Sequence, residues 1–138
     1  MIFVYTDGGS RGNPGQAAWG FAIFDESGTE LFGNGQKIGV NTNNVAEYMA
    51  VIEAFKYIED HRELIANYSG ITMRMDSLLV CQQMNGVWKV KHGNMVPLFQ
   101  QAKQLAAELG LPITYNHVPR EQNKVADSYV NKALDNLL

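Results

Sequence analysis

The chain has 138 residues, 46% of them hydrophobic and 18% charged, with a formal net charge of −3 and a pI near 5.5. Such a composition excludes a disordered chain and suits one domain, residues 1–138, able to bury about two thirds of its unfolded surface. The acidic balance excludes a protein that holds nucleic acid by bulk positive charge, so any polyanion must be gripped locally, through backbone amides, neutral donors or cations. The one cysteine, Cys81, excludes an internal disulfide and suits a reducing compartment. Met1 leads into a strand without an export leader, and no apolar run approaches the ~18 residues that span a bilayer. A cytoplasmic monomer with no membrane partner is expected.

The apolar run Ile2–Tyr5 reads as a strand buried on both faces, with strand one at residues 2–6. It stops at Asp7, and Gly8-Gly9-Ser10-Arg11-Gly12-Asn13-Pro14-Gly15 reads as a glycine-rich loop of turn formers. Ala18–Phe24 carries Trp19, Phe21 and Ile23 on one face and small residues on the other, a second strand. After the turn Asp25–Gly28, a third strand over Glu30–Ile38 is weakened by Gly33 and Gly35. Short connections between the three suggest an antiparallel meander.

Thr42-Asn43-Asn44 supplies N-cap residues for a helix from Val45 to about His61. Its polar stripe is Glu53, Lys56 and Asp60; its broad apolar face includes Tyr48, Val51, Ile52, Phe55 and Ile58. Ile71–Met75 is a fourth strand that ends at Asp76, and Ser77 to about Gln83 is a short helix stopped by Asn85-Gly86. Val96–Leu109 is an amphipathic helix with Gly110 as its stop, and Ile113–Val118 a fifth strand. Asn123 caps a last helix whose apolar side is Ala126, Val130, Ala133, Leu134 and Leu137. Leu137-Leu138 either completes the core or docks on a partner. The order predicts an α/β fold, a five-stranded mixed sheet flanked by helices.

Four acids share one kind of setting. Asp7 and Asp76 each follow an apolar strand; Glu47 and Asp127 each stand in the first turn of a helix. Ordinary explanations exist for each: an Asx turn for Asp7, an N-cap for Asp76, a capping box with Asn44 for Glu47, helix-dipole complementation for Asp127. Glu47, however, falls on the apolar side of its helix. If strands one and four are parallel neighbours, all four acids share one edge of the sheet, where α/β folds gather ligands. Crowded carboxylates repel unless protonated or neutralised, and all-oxygen donors favour Mg²⁺ or Mn²⁺.

These residues carry a family resemblance. Thr6-Asp7-Gly8-Gly9-Ser10 with Gly12-Asn13-Pro14-Gly15, then Thr42-Asn43-Asn44-Val45-Ala46-Glu47, Met75-Asp76-Ser77 with Gln82, and Val118–Asp127 together resemble type 1 ribonuclease H over essentially the whole chain. The resemblance implies a ribonuclease H-like fold with three antiparallel strands and two parallel additions. It also implies hydrolysis of the RNA strand of RNA–DNA hybrids by two metal ions, leaving 5′-phosphate and 3′-hydroxyl ends. Asp7, Glu47, Asp76 and Asp127 would be the carboxylate set for two Mg²⁺, with Mn²⁺ as substitute and Asp7 bridging. Gly8, Gly9, Asn13, Asn43, Asn44 and Gln82 would read the hybrid's minor groove around the scissile phosphate, with backbone access from Gly12 and Gly15 as well. Thr42 would help hold a DNA-strand phosphate.

Two departures from the family pattern stand out. The basic protrusion of better-known bacterial members is reduced to Lys89 and Lys91, with Trp88 and His92, which predicts weaker, more salt-sensitive binding. Trp88 either packs on the DNA strand or joins the core. The His-bearing loop before the last acid is absent, a short form that resembles the archaeal-type subgroup, in which an arginine substitutes in promoting product release. Arg120 is the corresponding residue here, with a salt bridge to Glu121 as the plainer reading and His117 and His92 as alternatives. Three functions remain open at this point: a hybrid-specific ribonuclease H, a broader nuclease that also cuts double-stranded RNA, and a non-catalytic hybrid-binding domain.

Overall fold

The computed structural model describes residues 1–91 and 93–138, so His92 lies outside the described residues. The first strand, β1, runs from Ile2 to Gly12, far past the last apolar residue. It pairs antiparallel with β2 (Gly15–Phe24) from Phe3 opposite Phe24 to Gly12 opposite Gly15. The expected glycine-rich loop is therefore strand, and the turn shrinks to Asn13-Pro14. A Cβ on Gly8 would lie 2.2 Å from the Ala46 carbonyl carbon, so glycine here admits a crossing helix rather than bending the chain.

β3 (Glu30–Asn41) pairs antiparallel with β2; β4 (Ile71–Met75) is parallel to β1, and β5 (Ile113–His117) is parallel to β4. The sheet order is β3-β2-β1-β4-β5, the mixed sheet that the sequence predicts.

The helices are α1 (Asn43–Asp60), α2 (Leu78–Met84), α3 (Val96–Leu109) and α4 (Lys124–Leu134). Alternation along β2 assigns them to faces. Trp19, Phe21 and Ile23 join one core with Tyr48, Val51 and Phe55 of α1, while Ala18 packs with Val130 and Ala133 of α4 on the other face. Full burial of each large side chain contributes about 1.5–3 kcal/mol. The opposite face of β2 and β3 is small because α4 lies directly on it. A Cβ on Gly20 would sit 2.6 Å from the Ala126 carbonyl oxygen, and one on Gly33 would sit 2.3 Å from the Tyr129 ring. Gly33, read from sequence as a weakness, is the seat of Tyr129.

Capping details move two acids out of their ordinary roles. Thr42 Oγ1 accepts from Val45 N at 3.3 Å, so α1 starts at Asn43 and Glu47 is its fifth residue, beyond the first turn. That removes the capping-box and dipole readings of Glu47. Ser77 Oγ accepts from Val80 N at 3.2 Å, so Ser77, not Asp76, caps α2. Asn123 precedes α4, yet its side chain makes no capping bond to that helix. Leu137 lies beyond the end of α4 and is 70% exposed, with Leu138 also exposed, so neither completes the core. Among the described residues no helix is long and apolar enough to cross a membrane.

Candidate active site

The site forms where β1 and β4 part. They pair only as far as Thr6 opposite Met75. Ile2 N donates to Gly70 O across this edge, so by alternation the even-numbered peptide groups of β1 face β4. Beyond Thr6 they face no strand. Three side chains take its place: Asn123 Nδ2 donates to Thr6 O at 2.8 Å, Gly8 N donates to Glu47 Oε1 at 3.1 Å, and Ser10 N donates to Asn43 Oδ1 at 2.8 Å. A buried peptide group without a partner costs about 1–3 kcal/mol, so the starts of α1 and α4 are tied to this open edge.

The acids follow from that geometry. Asp7 succeeds Thr6 at the fork, Asp76 succeeds Met75, and Glu47 reaches in from α1. One carboxylate oxygen from each of Asp7, Glu47 and Asp76 lies within 4.8 Å of the others. Asp127 is not part of that tight group. It lines the same cleft, of about 420 Å³, which also meets Gly9, Asn43, Asn44 and Arg120.

Burial, and then the negative charge of Asp76, push the Asp7 carboxyl up to about 8, with Asp127 adding to the effect. Glu47 is raised well above the usual carboxylate range, first by burial and then by Asp7. Without a cation the raised Asp7 carboxyl therefore holds a proton at neutral pH. Hard oxygen donors, converging where charge is disfavoured unless compensated, fit a hard divalent cation. Neither His nor Cys belongs to the group.

The expected substrate contacts divide by position. Asn43 N donates to Asn13 Oδ1 at 3.1 Å, and Asn43 Oδ1 also accepts from Ser10 Oγ at 3.0 Å, tying the β1–β2 hairpin to the start of α1. The Gly8 N–H is committed to Glu47 and Gly9 pairs with Ala18 of β2, so what Gly9 offers the cleft is room for close approach, a Cβ there having no neighbour nearer than 3.9 Å. Gln82 lies outside the carboxylate cleft, in a neighbouring depression shared with Asn85 and His117. Its carbonyl accepts from Val87 N and Trp88 N at 2.9 and 3.2 Å. Trp88 is 42% exposed, which removes the core-burial alternative.

Arg120 is exposed on a single 3₁₀ turn, Arg120–Gln122, and lines the cleft. Among the described residues it forms no ion pair, so the salt bridge to Glu121 is not made. His117 Nε2 sits 3.2 Å from the Asp76 carbonyl oxygen, outside the carboxylate cleft. His92, the other alternative, lies outside the described residues.

Sequence reasoning missed Arg11, Ser10, Asn123 and Asn131. Asn131 was recoverable: it stands four residues after Asp127 on one helical face, and its Nδ2 donates to Asp127 Oδ2 at 3.3 Å. Arg11 shares a face with Asp7 only once the stretch is known to be strand.

A mixed sheet whose parallel fork gathers buried carboxylates defines a ribonuclease H-like protein. The reverse transcriptase-like family profile matches residues 5–133. LC11-RNase H1, isolated from compost by a metagenomic approach and solved in complex with RNA/DNA hybrid, is 39% identical with a TM-score of 0.92, the match covering 99% of this chain and 98% of that one. RNase H1 from the halophilic archaeon Halobacterium salinarum is 36% identical with a TM-score of 0.87, covering 98% of each chain. The bifunctional protein Rv2228c of Mycobacterium tuberculosis is 42% identical over 135 residues, which are 97% of this chain but 35% of that protein. The chain thus spans about a third of the length of that curated relative. It belongs to the type 1 ribonuclease H family, a family of nucleases.

Proposed function

We propose that this chain is a single-domain endoribonuclease that hydrolyses the RNA strand of RNA–DNA hybrids, leaving 5′-phosphate and 3′-hydroxyl ends. The observation that carries this reading is the convergence of Asp7, Glu47 and Asp76 within 4.8 Å at the β1–β4 fork. LC11-RNase H1, of the same fold and 39% identical, was solved on an RNA/DNA hybrid.

Asp7, Glu47, Asp76 and Asp127 would hold two Mg²⁺, or Mn²⁺ in their place, with Asp7 serving both. When bound, the ions supply Lewis-acid chemistry, favouring ionisation of the attacking water and offsetting charge on the departing 3′ oxygen. The Gly8 N–H orients the Glu47 carboxylate toward Asp7, and burial of both acids keeps bulk water from screening them. Asn13, Asn43 and Asn44 stand at the rim as neutral groups able to recognise 2′-hydroxyls, the feature that separates RNA from DNA. Thr42 Oγ1 accepts the capping bond with its lone pair and keeps its proton to offer a DNA-strand phosphate. Trp88 packs on the DNA strand farther out, Gln82 reads the minor groove from beyond the carboxylate cleft, and Arg120 attracts the 5′-phosphate product away from the acids.

The test is a set of labelled substrates (RNA–DNA hybrid, double-stranded RNA and DNA duplex), each incubated with Mg²⁺ or EDTA. Hybrid cleavage that EDTA abolishes supports the proposal, and cleavage of double-stranded RNA would add a side activity. Hybrid that is bound but left intact in Mg²⁺ would make the chain a binding module instead.

A further inference from the structure

Past the carboxylates, the cleft continues along α4 to Arg11, Asn131 and Leu134. Arg11 lies two and four residues beyond Gly9 and Asp7 on β1, and so shares their face of the sheet. Its Nη1 donates to Asp135 Oδ1 at 2.6 Å and its Nη2 to Asn131 Oδ1 at 3.5 Å. Asn131 in turn donates to Asp127 Oδ2. The guanidinium is thus one side chain removed from Asp127.

Among the described residues, the cations that line this cleft are Arg11 and Arg120. Arg120 precedes α4, while Arg11 lies beside its far end, bonded to Asn131 and Asp135. α4 has 11 residues, about 16 Å of helix, so the two guanidiniums bracket Asp127 along its axis. A polyanion crossing the acids would run between them. Such local cations are what a chain of net charge −3 requires to grip a phosphate backbone.

The partner that Arg11 has now is a stand-in of the right chemistry. A guanidinium fork accepts carboxylate and phosphate oxygens with the same geometry. The Arg11–Asp135 pair is half exposed on both sides, 50% and 49%, and such pairs add little to stability. Exchange of the carboxylate for a phosphate therefore sacrifices little. We propose that Arg11 binds a backbone phosphate of the nucleic-acid substrate, on the side of the acids away from Arg120, and that Asp135 competes for it in the free protein. This rests on the hybrid-nuclease reading given above.

The experiment is fluorescence anisotropy of a labelled RNA–DNA hybrid, titrated in EDTA at several salt concentrations, with the wild type and four variants. Arg11→Ala weakens binding about fivefold and flattens the slope of log Kd against log salt by about one unit. Arg11→Lys retains the slope. Asp135→Asn tightens binding, because it removes the competitor. Lys56→Ala deletes the same charge from α1, outside the cleft, and leaves the slope unchanged. Melting curves confirm that the variants are folded. If Arg11→Ala and Asp135→Asn shift Kd in the same direction, or if Arg11→Ala leaves the slope unaltered, the residue is a structural ion pair and the proposal fails. The readout does not need cleavage, so a wild type that binds hybrid without cutting it would overturn the nuclease reading while the slopes still decide on Arg11.

Discussion

Glu47 Oε1 accepts the Gly8 N–H at 3.1 Å, closing the edge of β1 at the point where β4 has ended. A peptide group that would otherwise lack a partner is satisfied by a carboxylate from a different element. The same bond aims that carboxylate at Asp7, so completing the sheet edge and assembling the acid cluster are one structural event.

Asp7→Asn tests the cluster from two directions. Loss of the proposed shared ligand should lower hybrid hydrolysis in Mg²⁺ by about 10³-fold or more, as expected when a metal-assisted step is lost. The same change removes a buried acid crowded by Asp76 and Asp127, so the metal-free protein should melt several degrees higher at pH 8, on the order of 1–3 kcal/mol. Appreciable residual turnover, or a lower melting temperature, would contradict the role given to Asp7.

The metal-free protein should lose stability as pH rises. The Asp7 carboxyl has an ordinary value of 3.8 and is raised to about 8 in the fold. Between those values the folded chain holds a proton that the unfolded chain has released. Stability is therefore greatest below about pH 4, falls through the interval and is fully lost, for this contribution, above about 8. Melting in EDTA at pH 5, 7 and 9 reads the trend. Asp7→Asn should make it shallower, and Mg²⁺ should restore stability most at pH 9, where Asp7 is ionised.

Gly8→Ala should be severe although it adds one methyl group. The new Cβ would meet backbone atoms of Ala46 and Glu47 at 2.2 and 2.3 Å, and backbone cannot swing aside as a side chain can. Displacement of α1 from β1 should cost about 3 kcal/mol or more and move Glu47 away from Asp7. Urea unfolding measures the first effect, and the Mg²⁺ concentration needed for half-maximal cleavage measures the second. Gly9→Ala, with room at 3.9 Å, should cost less than about 1 kcal/mol.

Asn123→Ala removes the buried bond to the Thr6 carbonyl at 2.8 Å. The expected loss is about 1–3 kcal/mol, because the carbonyl remains buried without its donor. The start of α4 carries Asp127, whose N–H donates to the Asn123 carbonyl at 3.1 Å, so half-saturation should also need more Mg²⁺. A drop in stability with an unchanged Mg²⁺ requirement would limit Asn123 to a structural role.

For Arg120→Ala, the proposed part in product release predicts that multiple-turnover kcat falls about tenfold while single-turnover cleavage is little changed. Equal loss in both regimes would assign Arg120 to the chemical step or to binding. No loss in either would make it a surface residue.

Local patterning made much of this protein legible. Apolar runs marked β4 and β5, and helical periodicity marked α1 and α3, whereas the four-acid site was implied by the family resemblance. The runs and the periodicity depend on neighbours within a few residues, which is why the chain reveals them directly. The residues from Gly8 to Gly12 behaved differently. Glycine signals a turn when only its neighbours in sequence are considered, but Gly8 marks where α1 presses on an extended strand, a contact made with Ala46, 38 positions away. Only the tertiary structure decided that Glu47 and Asn123 complete the open edge of β1, that Gln82 stands outside the cleft, and that Arg11 faces into it. Each depends on where β4 stops beside β1, and the end of one strand leaves no local trace in the sequence of its partner.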